Sequence, residues 1–404
     1  MTFPPVNEQI DHIRRGTAEI LPEDELLRKL ERSRASGTPL NIKLGCDPSR
    51  PDLHLGHAVV LRKLRHFQDL GHQAILIVGD FTGMIGDPTG KSKTRPSLTL
   101  AQTREHGRSY FEQASKILDL SRISIRYNSD WLAPMTFEEV IKLAACYTVA
   151  RMLERDEFEK RYRKQESISI HEFLYPLAQA MDSVAIRSDV ELGGTDQKFN
   201  LLVGREIQRE YGQDPQVILT MPLLEGTDGV EKMSKSLDNY VAFNDTPEDM
   251  YGKTLSIPDT LILPWFRLVT EVPPTRLLEI EAALARGDNP RDAKRELARC
   301  IVEEFYSEDE ASMAEEHFDR VIKNKMAPED VAVFALPRDS DMLLLDVLCE
   351  AGLVKSKGEG RRLMQQSAVS IGETRITDPL TPIPADAECI VKVGKRRFIK
   401  IVRD

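Results

Sequence analysis

The chain has 404 residues, of which 41% are hydrophobic and 30% are charged, and its formal net charge at pH 7 is −10. This composition indicates a globular protein of two or three domains, and no apolar run reaches the roughly eighteen residues that a membrane-spanning helix needs. Residues 1–15 are too polar for a signal peptide, and the five cysteines are widely spaced without a Cys-x-x-Cys motif. We therefore expect a cytoplasmic protein with reduced thiols.

The charge is unevenly distributed along the chain. Residues 341–404 contain 11 Lys and Arg against 9 Asp and Glu, so the residues before them carry a net charge of −12. Basic residues that cluster on one face attract polyanions, and the last segment is therefore the candidate for contact with nucleic acid.

The first predicted elements are a helical lead-in over residues 1–39 and a β-loop-α-β unit after it. Asn41 to Gly45 predicts a short strand, Ala58 to Leu70 a helix with one apolar face, and Ala74 to Gly79 a buried strand. Open parallel sheets bind ligands at the carboxyl ends of their strands, so the loop between the first strand and the helix is a candidate site.

Two histidines, His54 and His57, lie in that loop and at the predicted helix start. The free N–H groups and the dipole of a helix N-terminus favour phosphate. The segment lacks the glycine patterns of a P-loop and of a dinucleotide-binding fold, so it is a different nucleotide cradle or none. Two alternatives remain: a zinc site, although no third ligand lies at a matching spacing, and histidines that only cap the helix.

The segment Gly79 to Ser92 contains four glycines and follows the buried strand directly. Asp80 and Asp87 offer carboxylates for an ammonium group or a metal, whereas Lys91 and Arg95 offer cations for phosphate. We favour a functional loop over a plain surface loop because it is rich in glycine and is set beside the first candidate loop.

Residues 100–167 predict a charged helical insertion that contains the strand-like segment Ile123 to Tyr127. Such an insertion suits an oligomer interface or a partner contact, and a solvated helix face is the alternative. In the helix that follows, Tyr175, Gln179 and Asp182 recur at i, i+4 and i+7 and so share one face, which suits a small polar substrate.

Two further loops follow predicted strands. Val190 to Asn200 combines a strand with Gly193 and Gly194, whose flexible backbone allows Asp196 and Gln197 to approach a ligand such as a ribose. After the last buried strand, Val217 to Leu224, the segment Gly226 to Ser236 forms a cationic loop with two lysines and two serines. Such a loop is able to close over a polyphosphate, and an ordinary surface loop is the alternative.

Together these motifs resemble those of the class I aminoacyl-tRNA synthetases. His54-Leu55-Gly56-His57 is similar to the first signature of that class, and Lys232-Met233-Ser234-Lys235-Ser236 matches the second. Three further segments resemble the substrate motifs of the bacterial-type tyrosyl-tRNA synthetases: Gly83 to Lys91, Tyr175-x-x-x-Gln179-x-x-Asp182 and Gly193 to Gln197. The resemblance runs from about Gly45 to Tyr240 and resumes at the tail, which is similar to a small RNA-binding fold shared with a ribosomal protein.

The resemblance implies an α/β fold: a Rossmann-like parallel-sheet catalytic domain with a helical insertion, an α-helical domain and a small α+β RNA-binding C-terminal domain. The expected ranges are a lead-in over 1–39, the catalytic domain over 40–243 with the insertion at about 100–167, an anticodon-region helical domain over 244–325, a linker over 326–340 and the RNA-binding domain over 341–404.

The resemblance also implies four sets of site residues. The catalytic set is His54, His57, Lys91, Arg95, Lys232 and Lys235. The tyrosine-binding set is Lys43, Asp87, Asn128, Tyr175, Gln179, Asp182 and Gln197, with Asp182 expected to accept the phenol hydroxyl. The ATP and adenylate set is Gly45, Asp47, Gly56, Gly194, Asp196, Met233 and Ser234. The tRNA-binding set is Lys355, Lys357, Arg361, Arg362, Lys395, Arg396 and Arg397.

The function that the resemblance implies is that of a tyrosine–tRNA ligase. ATP is expected as a substrate that binds together with Mg²⁺, and tRNA(Tyr) and L-tyrosine are the other expected substrates. The expected assembly is a homodimer. No tightly bound cofactor, resident metal or membrane contact is expected. The alternatives are a sister enzyme for tryptophan, an RNA-binding regulatory protein that has lost its chemistry, and a nucleotidyltransferase acting on a small cofactor. Two departures stand out: Lys43 replaces a tyrosine found in part of the family, and Met181 replaces a tyrosine before the aspartate.

Overall fold

The computed structural model describes residues 3–47, 52–88, 107, 109–320, 332–337, 342–372, 374–383, 388–394 and 397–403. Four predicted site residues, Lys91, Arg95, Lys395 and Arg396, lie outside the described residues. The chain divides into two compact units, Met1–Ala311 and Ser312–Asp404. Within the described ranges, none of the helices is both long and apolar enough to cross a membrane.

The first unit is built around a six-stranded sheet with the order β1-β6-β5-β2-β3-β4. Its strands are β1 Glu19–Leu21, β2 Asn41–Cys46, β3 Gln73–Val78, β4 Ile123–Tyr127, β5 Val190–Gly194 and β6 Val217–Met221. Strands β2 to β6 run parallel, whereas β1 pairs antiparallel with β6. Strands β3 and β6 consist almost entirely of buried residues, as expected where helices cover both faces of a sheet.

Helices flank and extend this sheet. They are α1 Val6–Arg14, α2 Glu23–Ser36, α3 Leu55–Asp69, α4 Thr82–Ile85, α5 Ser129–Leu132, α6 Phe137–Ala145, α7 Val149–Met152, α8 Asp156–Arg163, α9 Leu174–Ile186, α10 Lys198–Glu210, α11 Pro247–Leu255, α12 Ile262–Val269, α13 Pro274–Ala285, α14 Pro290–Phe305 and α15 Glu308–Phe318. Local signals explain several of the helix ends. Three acidic residues lie in the first turn of α2, and Gly37 ends this helix in the left-handed conformation.

The order of the strands places a crevice at the carboxyl end of β2. This strand lies between β3 and β5, so the chain continues from β2 to β3 on one side of it and later returns to β5 on the other side. Loops that diverge from such a switch point leave space for a ligand. The loops after β2, β3, β5 and β6 all open at this edge of the sheet, as the sequence predicted.

Two parts of the sheet differ from the sequence-based interpretation. Strand β4 was predicted to lie inside a helical insertion, but it pairs in parallel with β3 and is therefore an edge strand of the main sheet. The helices that interrupt the α/β pattern are α5 to α8, which follow β4 in the chain. Strand β1 was not predicted, because its partner β6 lies far away in the chain and three residues show no recognisable period.

Helices α11 to α14 belong to the first unit, whereas α15 crosses the boundary between the two units after Ala311. Thr246 and Asn289 cap α11 and α14, and each is followed by proline, as predicted. Tyr251 and Trp265 are fully buried in this region, and Arg62 on α3 forms an ion pair of 2.9 Å with Glu271 after α12. The helical region is thus packed against the sheet-containing part, and its boundaries as a separate domain stay a prediction.

The second unit contains a five-stranded sheet with the order β7-β11-β10-β8-β9. Its elements are β7 Val333–Leu336, α16 Leu344–Glu350, α17 Lys357–Gln365, β8 Val369–Ile371, β9 Thr374–Arg375, β10 Glu388–Val393 and β11 Arg397–Arg403. Val347, Leu348, Met364 and Val391 are fully buried in one apolar core. The prediction of a linker over 326–340 is wrong for Val333–Leu336, because β7 pairs in parallel with β11 and is part of this sheet.

Candidate active site

Two adjoining cavities open at the carboxyl ends of β2, β3, β5 and β6. The larger, of about 670 Å³, is lined by predicted site residues that include Gly45, Asp47, Asp87, Tyr175, Gln179 and Asp182. The smaller, of about 420 Å³, is lined by His54, Gly56, Met233, Ser234 and Lys235. His57, Gly194, Asp196, Gln197 and Lys232 line both cavities, so the two form one continuous site.

The carboxylate of Asp182 lies in the larger cavity and is almost fully buried. Its Oδ1 accepts a hydrogen bond of 2.9 Å from the indole Nε1 of Trp131, and its Oδ2 accepts one of 3.4 Å from Nδ2 of Asn128. Burial raises the pKa of Asp182 to about 7, while Lys43 and the two hydrogen bonds lower it. Trp131 was not predicted, because it lies about fifty residues before Asp182 and no local pattern marks it.

Asp47 and Tyr175 form a second polar group in the cavity. The hydroxyl of Tyr175 donates a hydrogen bond of 2.8 Å to Oδ2 of Asp47, and Thr82 donates one of 2.7 Å to Oδ1. Gly79 lies so close to Asp47 and Thr82 that a Cβ atom at this position would collide with both side chains. Glycine is therefore required at position 79, because the side chains of Asp47 and Thr82 approach the backbone closely there.

Asp87 joins the loop after β3 to two other elements. Its Oδ1 accepts a hydrogen bond of 2.9 Å from Arg155, and its Oδ2 accepts one of 2.9 Å from Nε2 of Gln197. Arg155 is buried beside the site and was not predicted. Asp80, which was considered as a possible ligand, is fully buried and instead binds the backbone N–H and hydroxyl of Ser129.

The two histidines combine helix capping with a position in the smaller cavity. Nδ1 of His54 accepts the N–H of Gly56, and Nδ1 of His57 accepts the N–H of His54, each at 3.2 Å. Burial and mutual repulsion lower the pKa of His54 to about 2, and burial lowers that of His57 to about 4. Both rings are therefore neutral at pH 7, and because Nδ1 accepts, each carries its proton on Nε2.

Each Nε2–H is thus an uncharged donor for a ligand in the cavity. The capping alternative describes what the Nδ1 atoms do and leaves the Nε2 atoms available. As for the zinc alternative, no group of three or more metal-ligating side chains occurs in the part of the chain that the structure describes.

The loop that carries Lys232 and Lys235 contacts acidic side chains at the mouth of the site. Lys232 forms an ion pair of 3.2 Å with Asp196, and Lys235 forms one of 2.9 Å with Asp52. The loop itself is held by Asn239, whose Oδ1 accepts a hydrogen bond of 2.8 Å from the N–H of Ser234. Asp52 was not predicted as a site residue, although it lies only two positions before His54.

Comparison with known proteins agrees with this geometry. The family model of class I tRNA synthetases (W and Y) matches residues 35–323. The tyrosine–tRNA ligase of Chlorobaculum tepidum is 60% identical over 404 residues, which cover 100% of this chain and 99% of that protein. The tyrosine–tRNA ligase of Salinibacter ruber is 55% identical over 405 residues, with 99% and 98% covered. The chain belongs to the bacterial-type tyrosyl-tRNA synthetases of class I.

A solved structure shares the fold at lower identity. The tyrosyl-tRNA synthetase from Archaeoglobus fulgidus, solved in complex with L-tyrosine, is 23% identical with a TM-score of 0.63, and the match covers 77% of this chain and 99% of that chain. Like the family model, this match supports the parallel α/β fold described above.

Two predicted tyrosine-binding residues do not line the cavity of this synthetase. Lys43 is fully buried, and its Nζ lies 2.8 Å from Oε1 of Glu191. Asn128 is also buried and binds the N–H of Phe81, Thr82 and Asp182. Both side chains therefore hold other residues in place, because buried polar groups need partners of their own.

The second departure from the family pattern, Met181, also faces away from the cavity. It packs against an apolar cluster that includes Leu143, Met152 and Val203. A tyrosine at this position is thus replaced by a flexible apolar side chain that fills the contact between α9 and the helices after β4.

The predicted tRNA-binding residues that the structure describes lie on the second unit of the synthetase. Lys355, Lys357, Arg361, Arg362 and Arg397 are exposed, and three of these lie on α17. Arg397 pairs with Glu359 at 3.3 Å. Lys357 pairs with Asp346 at 2.6 Å, so at least two of these cations have an acidic neighbour. Exposed basic side chains on one short helix are available to phosphate, and their role stays a prediction.

Proposed function

We propose that the site activates L-tyrosine with ATP to tyrosyl-adenylate and pyrophosphate, and then transfers tyrosine to the terminal ribose of tRNA(Tyr). The observation that carries this assignment is the arrangement of one continuous site. A buried carboxylate lies in one part, and two neutral imidazoles and two lysines line the other. This arrangement fits a phenol-bearing amino acid beside a polyphosphate.

For the amino acid, Asp182 would accept the phenol hydroxyl. Trp131 and Asn128 already donate to its oxygens, so a third donor from the substrate finds an acceptor that is held in place. Tyr175, Gln179 and Asp87 line the same cavity and would bind the ammonium group. Phenylalanine would leave the buried carboxylate without its third donor, which is unfavourable in a site of low polarity.

Adenylation itself requires positioning and charge stabilisation. The carboxylate of tyrosine is already a nucleophile, so no general base is needed for its attack on the α-phosphorus. The Nε2–H groups of His54 and His57 would donate to α-phosphate oxygens, because both rings are neutral donors with fixed tautomers. Lys232 and Lys235 would neutralise the leaving pyrophosphate once they leave their present carboxylate partners.

Mg²⁺ would enter with ATP as part of the substrate. Hard divalent cations of this kind are bound by phosphate oxygens and water and by only one or two protein carboxylates. Asp196 is a carboxylate that lines the site and is the candidate for such a contact. The ion would supply charge neutralisation on the phosphates.

We expect the second unit to contribute to tRNA binding. A double variant, Arg361→Ala with Arg362→Ala, should weaken tRNA charging while tyrosine-dependent exchange of pyrophosphate stays within about twofold of the unmodified enzyme. Equal loss of both activities would contradict a role confined to tRNA. Since the product serves protein synthesis, we expect the enzyme to act in the cytoplasm.

A homodimer is proposed from exposed apolar side chains on the helices after β4. Phe137 and Ile141 on α6 and Val149 on α7 are 79%, 54% and 61% exposed. Such residues mark protein contacts when they are grouped on one surface. Light scattering should give twice the mass of one chain, and Phe137→Ser with Ile141→Ser should lower it. Leu278→Ser, at an exposed position on α13, is the control that should leave the mass unchanged.

The experiment that tests the function is amino-acid-dependent exchange of labelled pyrophosphate into ATP, with tyrosine, phenylalanine and tryptophan in parallel. Exchange with tyrosine alone is the expected result. Exchange with tryptophan would favour the sister enzyme, and no exchange with any of the three would contradict an active synthetase.

A further inference from the structure

A buried ion pair lies directly beneath the larger cavity. Lys43 on β2 and Glu191 on β5 face each other in the register of the two parallel strands. Their side chains are 0% and 1% exposed, and Nζ lies 2.8 Å from Oε1. Because removing two charges from water is costly, the surroundings of this pair must provide further partners.

The carboxylate of Glu191 accepts hydrogen bonds from four donors. Oε1 binds the ammonium of Lys43 and, at 3.1 Å, Nε2 of Gln179. Oε2 binds the hydroxyl of Ser183 at 3.2 Å and the side-chain amide of Gln216. Lys43 also donates to the backbone oxygen of Gln179 at 2.9 Å. The network therefore holds both ends of Gln179, its main chain and its amide nitrogen.

The chemistry of this contact fixes the direction of the Gln179 amide. A carboxylate only accepts, so the NH₂ group of the amide must face Glu191. A flipped amide would place two oxygens against each other in a buried position, where an unpaired acceptor costs the most. The amide oxygen is thereby left for the cavity that Gln179 lines, where a ligand that carries a donor would find an acceptor.

We propose that Glu191, held by Lys43, is a positioning residue that makes Gln179 a hydrogen-bond acceptor and so selects ligands that carry an ammonium group. The proposal rests on the proposed function, in which Gln179 binds the ammonium of tyrosine. A cavity in which the amide turned freely would present its NH₂ group about as readily as its oxygen, and a cationic group would lose this partner.

A matched pair of double variants isolates the acceptor at position 191. Lys43→Met with Glu191→Met removes the charges and the acceptor together, and apolar replacement of a buried ion pair is often tolerated. Lys43→Met with Glu191→Gln also removes both charges, but its amide oxygen still accepts from Nε2 of Gln179. The two variants share the loss of Lys43 and differ at position 191, where only glutamine has a carbonyl oxygen that is able to accept from Gln179.

The readout is the ratio of two dissociation constants, measured by calorimetry. Tyrosinol carries the phenol and the ammonium group, and 3-(4-hydroxyphenyl)propan-1-ol carries the phenol without the ammonium. The double methionine variant should lower the preference for tyrosinol about tenfold or more, since hydrogen bonds to charged groups are worth about this factor. The variant with glutamine at position 191 should keep the preference within about threefold of the unmodified enzyme.

Two results would overturn the proposal. An unchanged preference in both variants would show that Gln179 needs no fixed amide. An equal loss in both would show that the charges or the packing matter, and not the acceptor.

Separate controls distinguish a folding defect of a variant from failure of the proposed function. If the double methionine variant does not fold, Lys43→Glu with Glu191→Lys keeps the ion pair but places a donor against Gln179. This variant should also lose the preference for tyrosinol, and retention would contradict the proposal. If the unmodified enzyme bound neither compound and showed no exchange with tyrosine, the proposed function itself would fail, which is distinct from failure of the positioning role.

Discussion

Replacing Trp131 with phenylalanine should change the pH at which the enzyme begins to use tyrosine. The indole N–H donates a hydrogen bond of 2.9 Å to Oδ1 of Asp182, whose pKa burial raises to about 7. This hydrogen bond favours the ionised carboxylate, so its loss must raise the pKa of Asp182 further. Phenylalanine keeps an aromatic ring at this position and removes the donor.

The size of the change follows from the strength of the contact. A hydrogen bond to a charged group contributes about 1.5 to 3 kcal/mol, and one pKa unit corresponds to about 1.4 kcal/mol. The pKa of Asp182 should therefore rise by about one to two units, to about 8 or 9. The ionised form accepts from the phenol while Asn128 also donates to it, so tyrosine use should increase with pH through this midpoint.

The assay is the pH dependence of kcat/KM for tyrosine in pyrophosphate exchange, which reports the ionisation of the free enzyme. The matched control is Tyr175→Phe, which removes a hydroxyl that binds Asp47 and not Asp182. This control should lower kcat/KM without moving the midpoint. A midpoint for Trp131→Phe that stays near 7 or falls would refute the reasoning.

Four further predictions concern stability and the cationic loop. Asp182→Asn should raise the free energy of unfolding by about 2 kcal/mol at pH 8 and by less at pH 5. The reason is that the pKa of Asp182 is higher in the folded state than in the unfolded state, so the stability of the unmodified enzyme falls as the pH rises from about 4 to about 7. Urea unfolding checks this, and equal gains would contradict it. Lys235→Ala should slow single-turnover adenylation about 100-fold with little change in the affinity for tyrosine. Asp52→Asn releases Lys235 from its ion pair and should therefore lower the KM for ATP about two- to fivefold. An unchanged single-turnover rate in Lys235→Ala would exclude a role of this lysine in adenylation, and a raised KM for ATP in Asp52→Asn would exclude a restraining role of Asp52. Gly79→Ala should cost about 2 kcal/mol in thermal melts because its Cβ would collide with two side chains. Gly45→Ala, with open space around its Cβ, should change stability by less than about 0.5 kcal/mol, and equal losses would contradict the steric argument.

The sequence predicted those parts of the site that depend on local spacing. The positions of Tyr175, Gln179 and Asp182 on one helical face follow from the period of the α-helix, and all three line the larger cavity. The two histidines at the start of α3 follow from the strand, loop and helix pattern, and they line the smaller cavity. In both cases the residues that act together lie within eight positions in the chain.

The parts that were missed or misplaced depend on contacts between distant residues. Lys43 was expected to touch the substrate, but its partner is Glu191, about 150 residues later, and this partner turns it away from the cavity. Trp131 and Arg155 support Asp182 and Asp87 from the helices after β4. No periodicity in one sequence indicates which distant side chain meets which, because such pairs are created only when the sheet and its flanking helices pack together.

The short strand β1 has a consequence for the order of folding during synthesis. Its residues pair with β6, so that Glu19 lies opposite Thr220, roughly two hundred residues later. While the ribosome makes the chain, β1 has no partner until β6 emerges, and the edge of the growing parallel sheet stays open to other chains. The first unit therefore closes late, and β1 then covers the edge of β6 and ties the N-terminal segment to the sheet. An enzyme that lacks residues 1–21 would keep its site residues but expose a fully buried strand, and aggregation during expression is the expected result.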